Sequence, residues 1–138
     1  MPETNSNHRD HTRYRIKDGT VQYKPVHFLG LFSRPSKRHL ILDISQDGVQ
    51  FVTREEFKKE ALLSLDISAP ALDDGIIHTQ GRVTWVRKAP GLEAYGVGVK
   101  FARMEQPELD KLKSLIDRNN LNKTKISDSV HLKINGNL

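Results

Sequence analysis

From about residue 20 the chain is a series of short apolar runs separated by polar turns. Thr20 to Val26 carries Val21, Tyr23 and Val26, and Pro25 marks an edge or a strand end because it donates no ladder hydrogen bond. His39 to Ile44 and Val49 to Thr53 are apolar runs on either side of Ser45-Gln46-Asp47-Gly48, a hairpin-turn composition. Leu63, Leu65 and Ile67 alternate with Ser64, Asp66 and Ser68, the pattern of a half-buried strand. Ile77, Thr79, Gly81, Val83 and Trp85 alternate with more polar neighbours over a longer strand, and Ala89-Pro90-Gly91 marks the turn after it. Because it alternates with Val83, Trp85 reads as core or barrel-rim packing rather than as a platform for a ligand. Tyr95, Val97, Val99 and Phe101 form one face of the next strand, and Gly96, Gly98, Lys100 and Ala102 the other. Pro107 then suits a first helical turn, Glu108 and Asp110 sit at the positive end of the dipole, and Leu109, Leu112, Leu115 and Ile116 make one apolar stripe. Asn119 and Asn120 end that helix, and Val130 to Ile134 reads as a short strand. Five or six short antiparallel strands and one helix predict a mainly β chain, a small closed barrel capped by the helix, with no exposed strand edges.

Length and composition narrow the picture. With 138 residues the chain has room for one core, not two. Residues 1–12 have no apolar period and read as a flexible arm, residues 13–118 as the barrel domain with its helix, and residues 119–138 as a tail. The absence of cysteine excludes a disulfide scaffold, a thiolate metal site and a cysteine nucleophile, and it suits a reducing cytosol. No apolar stretch follows a basic start, and the longest mostly apolar run, Val26 to Phe32, is too short to span a bilayer. The expectation is a soluble, cytoplasmic protein without membrane insertion. Residues 1–38 hold eight Lys/Arg against three Asp/Glu, whereas the rest holds fourteen of each, so the whole net charge of +5 lies at the N-terminal side. Such asymmetry points to an anionic partner or, more blandly, to a solubilising tail.

Two clusters carry candidate chemistry. Arg9 and Arg13 stand four apart, where two guanidinium forks close around an anion, pair bidentately with phosphate, or stack on and hydrogen-bond to guanine. Taken alone, such a pair is more often a solvated feature of a polar tail. Asp43-Ile44-Ser45-Gln46-Asp47-Gly48 offers a carboxylate that accepts from a guanine edge, a hydroxyl, and a glycine that permits positive φ or close backbone approach. Taken alone, it is an ordinary turn. His8 and His11 lack further ligands for a metal. His39, Asp43 and Ser45 are the ingredients of a hydrolase triad without a nucleophile elbow or an oxyanion hole. No phosphate-binding glycine loop is present. The chain therefore reads as no enzyme, with no cofactor and no metal.

Together the clusters resemble the PilZ domain family, whose two signature halves are an Arg-x-x-x-Arg arm before the barrel and an Asp-x-Ser-x-x-Gly turn within it. Gly81-Arg82-Val83-Thr84-Trp85-Val86 and Tyr95-Gly96-Val97-Gly98-Val99-Lys100-Phe101 are similar to the family's last two strands, and the resemblance covers roughly residues 9–118. It implies a six-stranded antiparallel PilZ-type β-barrel with a C-terminal α-helix packed on it. It also implies a non-enzymatic receptor for the bacterial second messenger cyclic di-GMP, whose arm closes over bound ligand and relays the signal to an unidentified downstream protein or through a homo-oligomer. By motif position Arg9 and Arg13 would grip phosphates and guanines, Asp43 a guanine edge, and Ser45 and Gly48 would line the surface beneath, with Arg15 and Gly98 as additional contacts. His8 stands where many members carry a further arginine, which leaves one or two bound ligands open. The alternatives are a degenerate adaptor that binds protein alone, against which both intact motifs argue, and a nucleic-acid-binding barrel, against which the scarcity of aromatic residues argues.

Overall fold

The computed structural model describes residues 12–26, 36–73 and 75–119. The expected strand at Val130 to Ile134 lies outside the described residues. Six strands, β1 (Thr20–Pro25), β2 (His39–Ile44), β3 (Gly48–Thr53), β4 (Leu62–Ser68), β5 (Ile77–Lys88) and β6 (Tyr95–Phe101), form one closed antiparallel barrel in the order β1-β2-β3-β6-β5-β4. A helix over 106–119, α1, follows β6.

The interior is built by period-2 alternation. Val21 and Tyr23 of β1, Val49 and Phe51 of β3, Leu63, Leu65 and Ile67 of β4, Ile77 and Val83 of β5, and Val97 and Val99 of β6 are all buried. Leu112, Leu115 and Ile116 of α1 join the same cluster, so the predicted apolar stripe closes the barrel rather than facing solvent. Polar contacts then fix the helix in place. Glu108 accepts from the backbone N–H of His78 at 2.7 Å, Lys111 donates to the Ile76 carbonyl at 3.0 Å, and Arg118 donates to the Ala71 carbonyl at 2.8 Å. The β4–β5 connection is thus pinned to one side of α1.

Two irregularities break the alternation. Between Ile41 and Asp43 of β2, and between Val83 and Trp85 of β5, the register slips by one residue. Each slip is a β-bulge, which turns two successive side chains to the same face. Leu42 and Asp43 both point outward between buried Ile41 and Ile44. Thr84 and Trp85 both point outward between Val83 and Val86. The sequence expectation for Trp85, packing in the core or at the rim by alternation with Val83, is corrected by this bulge: the indole lies on the outer wall.

At one mouth of the barrel Tyr23 donates to Glu55 at 2.9 Å and shares a hydrogen bond of 2.8 Å with Thr53. Burial raises its phenol pKa to about 12. The His39 ring stacks on Tyr23 with centroids 4.9 Å apart. Burial pushes the His39 imidazole below its ordinary value, against the opposing pull of Glu55 and the Val52 backbone.

Replacing Leu115 by alanine should lower unfolding free energy by about 2–5 kcal/mol in chemical denaturation, the cost of a cavity in a packed core. The exposed neighbour Asp117 should tolerate alanine within about 0.5 kcal/mol. A second expectation concerns pH. A histidine whose folded pKa is depressed contributes stability that is complete above its unfolded value and is lost as pH falls through the folded one. The chain should therefore lose stability on acidification from about pH 7 to pH 5. His39→Gln should narrow that loss, as read from midpoints of urea denaturation at each pH.

Candidate functional site

The two bulges lie opposite each other across one row of the outer wall. The strand registers pair Asp43 with Gln50, Gln50 with Gly98, and Gly98 with Trp85. Four strands thus place a carboxylate, an amide, a bare backbone and an indole side by side. With strands about 4.8 Å apart the row is about 14 Å long, wider than a single purine. Without its bulge, each strand would have turned Asp43 or Trp85 out of this row.

Asp43 is held by Arg13. The guanidinium Nε–H donates to Oδ1 at 2.6 Å, and both side chains keep about a quarter of their surface exposed, 28% and 26%. The arm base is seated on β2 by Tyr14, whose N–H donates to the Ile44 carbonyl at 2.7 Å and whose carbonyl accepts from the Ile44 N–H at 2.8 Å. Beside this seat, Arg15, Ile16, Ile41, Leu42, Asp43 and Gln50 line an open hollow of ≈ 460 Å³. Arg13 engages Asp43 through Nε, so among the described residues the fork of its two Nη groups is the part left for an anion.

The turn residues have different roles. Ser45 is buried at 1% exposure; its hydroxyl accepts from the Asp47 N–H at 3.0 Å and its own N–H donates to the Gly48 carbonyl at 2.9 Å. In this arrangement Ser45 shapes the turn. Gly48 is required by close approach: a Cβ there would lie 2.2 Å from the Val99 carbonyl of the paired strand. Gly98 carries the indole. A Cβ at Gly98 would meet Nε1 of Trp85 at 2.1 Å, so only a glycine lets the ring lie flat on β6. Arg87 completes that end, with its guanidinium carbon 5.5 Å from the Trp85 ring centroid, a cation–π contact.

Of the residues expected from sequence, Arg13, Arg15 and Asp43 come together at one end of the row and Gly98 lies further along it. Ser45 and Gly48 form the turn behind Asp43. Arg9, His8 and His11 lie outside the described residues. The triad ingredients are not assembled: His39 stacks on Tyr23, Asp43 pairs with Arg13, and Ser45 serves its own turn. Sequence reasoning missed Gln50, Trp85 and Arg87. The available signal was Gly96-x-Gly98 on the outward face of β6, two bare positions in succession, which admit a flat side chain from a neighbouring strand. Among the described residues no group of three His, Cys, Asp or Glu is placed to hold a metal, and no helix is long and apolar enough to cross a membrane.

A closed antiparallel barrel, filled by its own side chains and presenting polar and aromatic groups in register on its wall, belongs with the small filled β-barrels. Residues 7–118 match the PilZ domain, and the chain belongs to that family. Solved structures share the fold. The inhibitor of motility MotI/DgrA of Bacillus subtilis is 20% identical with a TM-score of 0.61, over 83% of this chain and 52% of that one. MrkH of K. pneumonia, in a complex with c-di-GMP, is 17% identical with a TM-score of 0.65, over 85% and 54%. The PilZ domain of YcgR from Escherichia coli, with c-di-GMP, is 11% identical with a TM-score of 0.64, over 87% and 97%. The chain thus spans about half the length of MotI and MrkH. No curated protein matches it.

Alanine at Gly98 should displace the indole. We expect Gly98→Ala to shift the fluorescence maximum of Trp85, the sole tryptophan, to longer wavelength as the ring leaves the wall, with far-ultraviolet circular dichroism unchanged.

Proposed function

We propose that this chain is a non-enzymatic receptor for cyclic di-GMP, held on the outer wall of the barrel between the arginine arm and the row from Asp43 to Trp85. The observation that carries the reading is the Arg13–Asp43 pair at the end of that row, which joins the second arginine of an Arg-x-x-x-Arg motif to the aspartate of an Asp-x-Ser-x-x-Gly turn. Membership of the PilZ family supports it, as do the relatives of the same fold seen with c-di-GMP.

The chemistry matches the ligand. A cyclic dinucleotide presents two phosphodiesters and two purines. The Nη groups of Arg13, joined by Arg9 from the arm, suit phosphate oxygens and the O6 and N7 edge of guanine. Asp43 accepts from guanine N1–H and the N2 amino group. Trp85, whose ring carries the Arg87 guanidinium at 5.5 Å, would offer a stacking face where a base displaces Arg87, worth about 1–3 kcal/mol per base where such stacking has been measured. Arg15 and Gly98 line the same surface, and Gly48 lets β3 and β6 approach closely behind it. Ligand would act by seating the arm, which changes the surface shown to a downstream protein or to a second copy of the chain. The energy available for that change is the difference in ligand affinity between the unseated and seated arm.

Calorimetric titration with cyclic di-GMP, with GTP and linear pGpG as controls, tests the reading directly and yields the ligand count. Arg13→Ala should weaken binding at least about 30-fold, the scale for removing one member of a desolvated charge contact, while the fold survives. Saturating ligand should also change the emission of Trp85. Full affinity in the Arg13 variant, or no binding by folded wild type, would sink the proposal; the latter outcome would favour the adaptor that binds protein alone.

A further inference from the structure

Three consecutive residues at the base of the arm tie it to two distant parts of the chain, β2 and the end of α1. Arg13 reaches Asp43 at 2.6 Å. Tyr14 exchanges two backbone hydrogen bonds with Ile44, at 2.7 and 2.8 Å. The carbonyl of Arg15 accepts from Nδ2 of Asn119 at 2.5 Å, across 104 residues of sequence. Asn119 is the last described residue of α1 and only 7% exposed.

That last bond is unlike an ordinary helix stop. An asparagine that merely ends a helix sits in solvent or bonds to its own last turn. Besides the Tyr23 phenol, the buried polar side chains among the described residues are Ser45, Thr53 and Asn119. Ser45 and Thr53 accept from backbone N–H groups two residues on, at Asp47 and Glu55. Asn119 instead donates to a carbonyl of the arm base, 104 residues away in sequence. Besides these bonds, the Tyr14 side chain packs against the core cluster. Thr12 and Arg15 are exposed, Arg13 and Tyr14 are half-buried, and Ile16 is the first residue to enter the core.

We propose that Asn119 is a positioning residue for the ligand site. It clamps the Arg15 carbonyl, which keeps the segment 13–15 in its seat on β2 and so keeps Arg13 opposite Asp43. The coupling is reciprocal, because whatever strengthens the seat of Arg13 strengthens the Asn119 bond by the same factor. The end of α1 therefore registers whether the arm base is engaged, at the point where the chain continues into residues 120–138. The ligand used in the test rests on the cyclic di-GMP reading; the clamp itself does not.

The experiment uses the full chain with Asn119→Ala, and with Asn119→Asp, which keeps the size and removes the donor. Leu115→Ala serves as the control that destabilises α1 without touching the arm. The first readout needs no ligand. The Nε–H resonance of Arg13 in ¹⁵N NMR should be protected from exchange in wild type and in the Leu115 variant, and lost in both Asn119 variants. The second is affinity for cyclic di-GMP, which should fall about tenfold in Asn119→Ala, the scale of one hydrogen bond at a buried group. The third uses wild type alone: cyclic di-GMP should slow amide exchange in the last turn of α1. A protected Arg13 signal in both Asn119 variants overturns the clamp, as does an equal loss in the Leu115 variant. Unchanged exchange in α1 under saturating ligand overturns the reciprocal coupling. If wild type binds no cyclic di-GMP, the receptor reading fails, and the Arg13 resonance still decides the clamp.

Discussion

Closing six short strands into a barrel leaves only two places for a side chain, inside or outside. Everything else in this structure follows from that restriction. The inside is filled by Val, Leu, Ile and Phe and closed by α1, so it has no room for a ligand. A ligand site of the kind proposed would therefore lie on the wall, where period-2 alternation allows each strand one outward residue in every two. The bulges in β2 and β5 relax the rule at two points. They set Asp43 and Trp85 at the ends of one row, with Gln50 and Gly98 between them. Bulges beside functional sites commonly re-aim a side chain in this way. Here two of them face each other across two intervening strands, and the glycines of β6 keep the space between them low.

The same restriction explains why so much of the site is structural support. Gly48 exists for the Val99 carbonyl, Gly98 for the indole, and Ser45 for the Asp47 amide. None of these needs to touch a ligand to be indispensable to its binding. A substitution at any of them would move Asp43 or Trp85, and a displacement of about 1 Å is enough to spoil a positioned contact. Loss of binding in such a variant is therefore weak ground for calling the residue a ligand contact. On the proposed reading, the Nη fork of Arg13, the Asp43 carboxylate and the Trp85 ring are the groups that would meet the ligand.

The barrel was legible because its signals are local and repeated. Alternation in Leu63-Ser64-Leu65-Asp66-Ile67, the Ser45–Gly48 turn and the apolar stripe of α1 each specify an element without reference to the others. The order of the pieces brought the arm and the turn together. Trp85 was misjudged because a bulge is a register effect: it depends on how β5 pairs with β6, and nothing in Val83-Thr84-Trp85 itself announces the slip. Ser45 looked like a surface hydroxyl because turn residues are usually exposed, whereas this turn folds its serine beneath the Asp47 amide. Asn119 read as a simple stop because its partner lies 104 residues away. What the chain conceals is pairwise geometry between distant segments, and that is where the site acquires its shape.

The burial of the Arg13–Asp43 pair decides whether such a site can respond to a ligand. A fully exposed pair contributes about 0–1 kcal/mol and would leave Arg13 free to wander. A fully buried pair costs about 3–5 kcal/mol to break, which would lock the arm base whatever ligand was present. With roughly a quarter of each side chain exposed, the pair lies between these limits. It is strong enough to favour one orientation of the guanidinium and weak enough for a phosphodiester to compete for it. Contact through Nε strengthens the point, because the Nη fork stays open while the pair is intact. On the proposed reading, a ligand would engage Arg13 before Asp43 lets go, so exchange would need no step in which either charge is buried without a partner. If the proposed clamp holds, the tie from Asn119 to the Arg15 carbonyl would supply what the pair alone does not, a fixed backbone for that exchange.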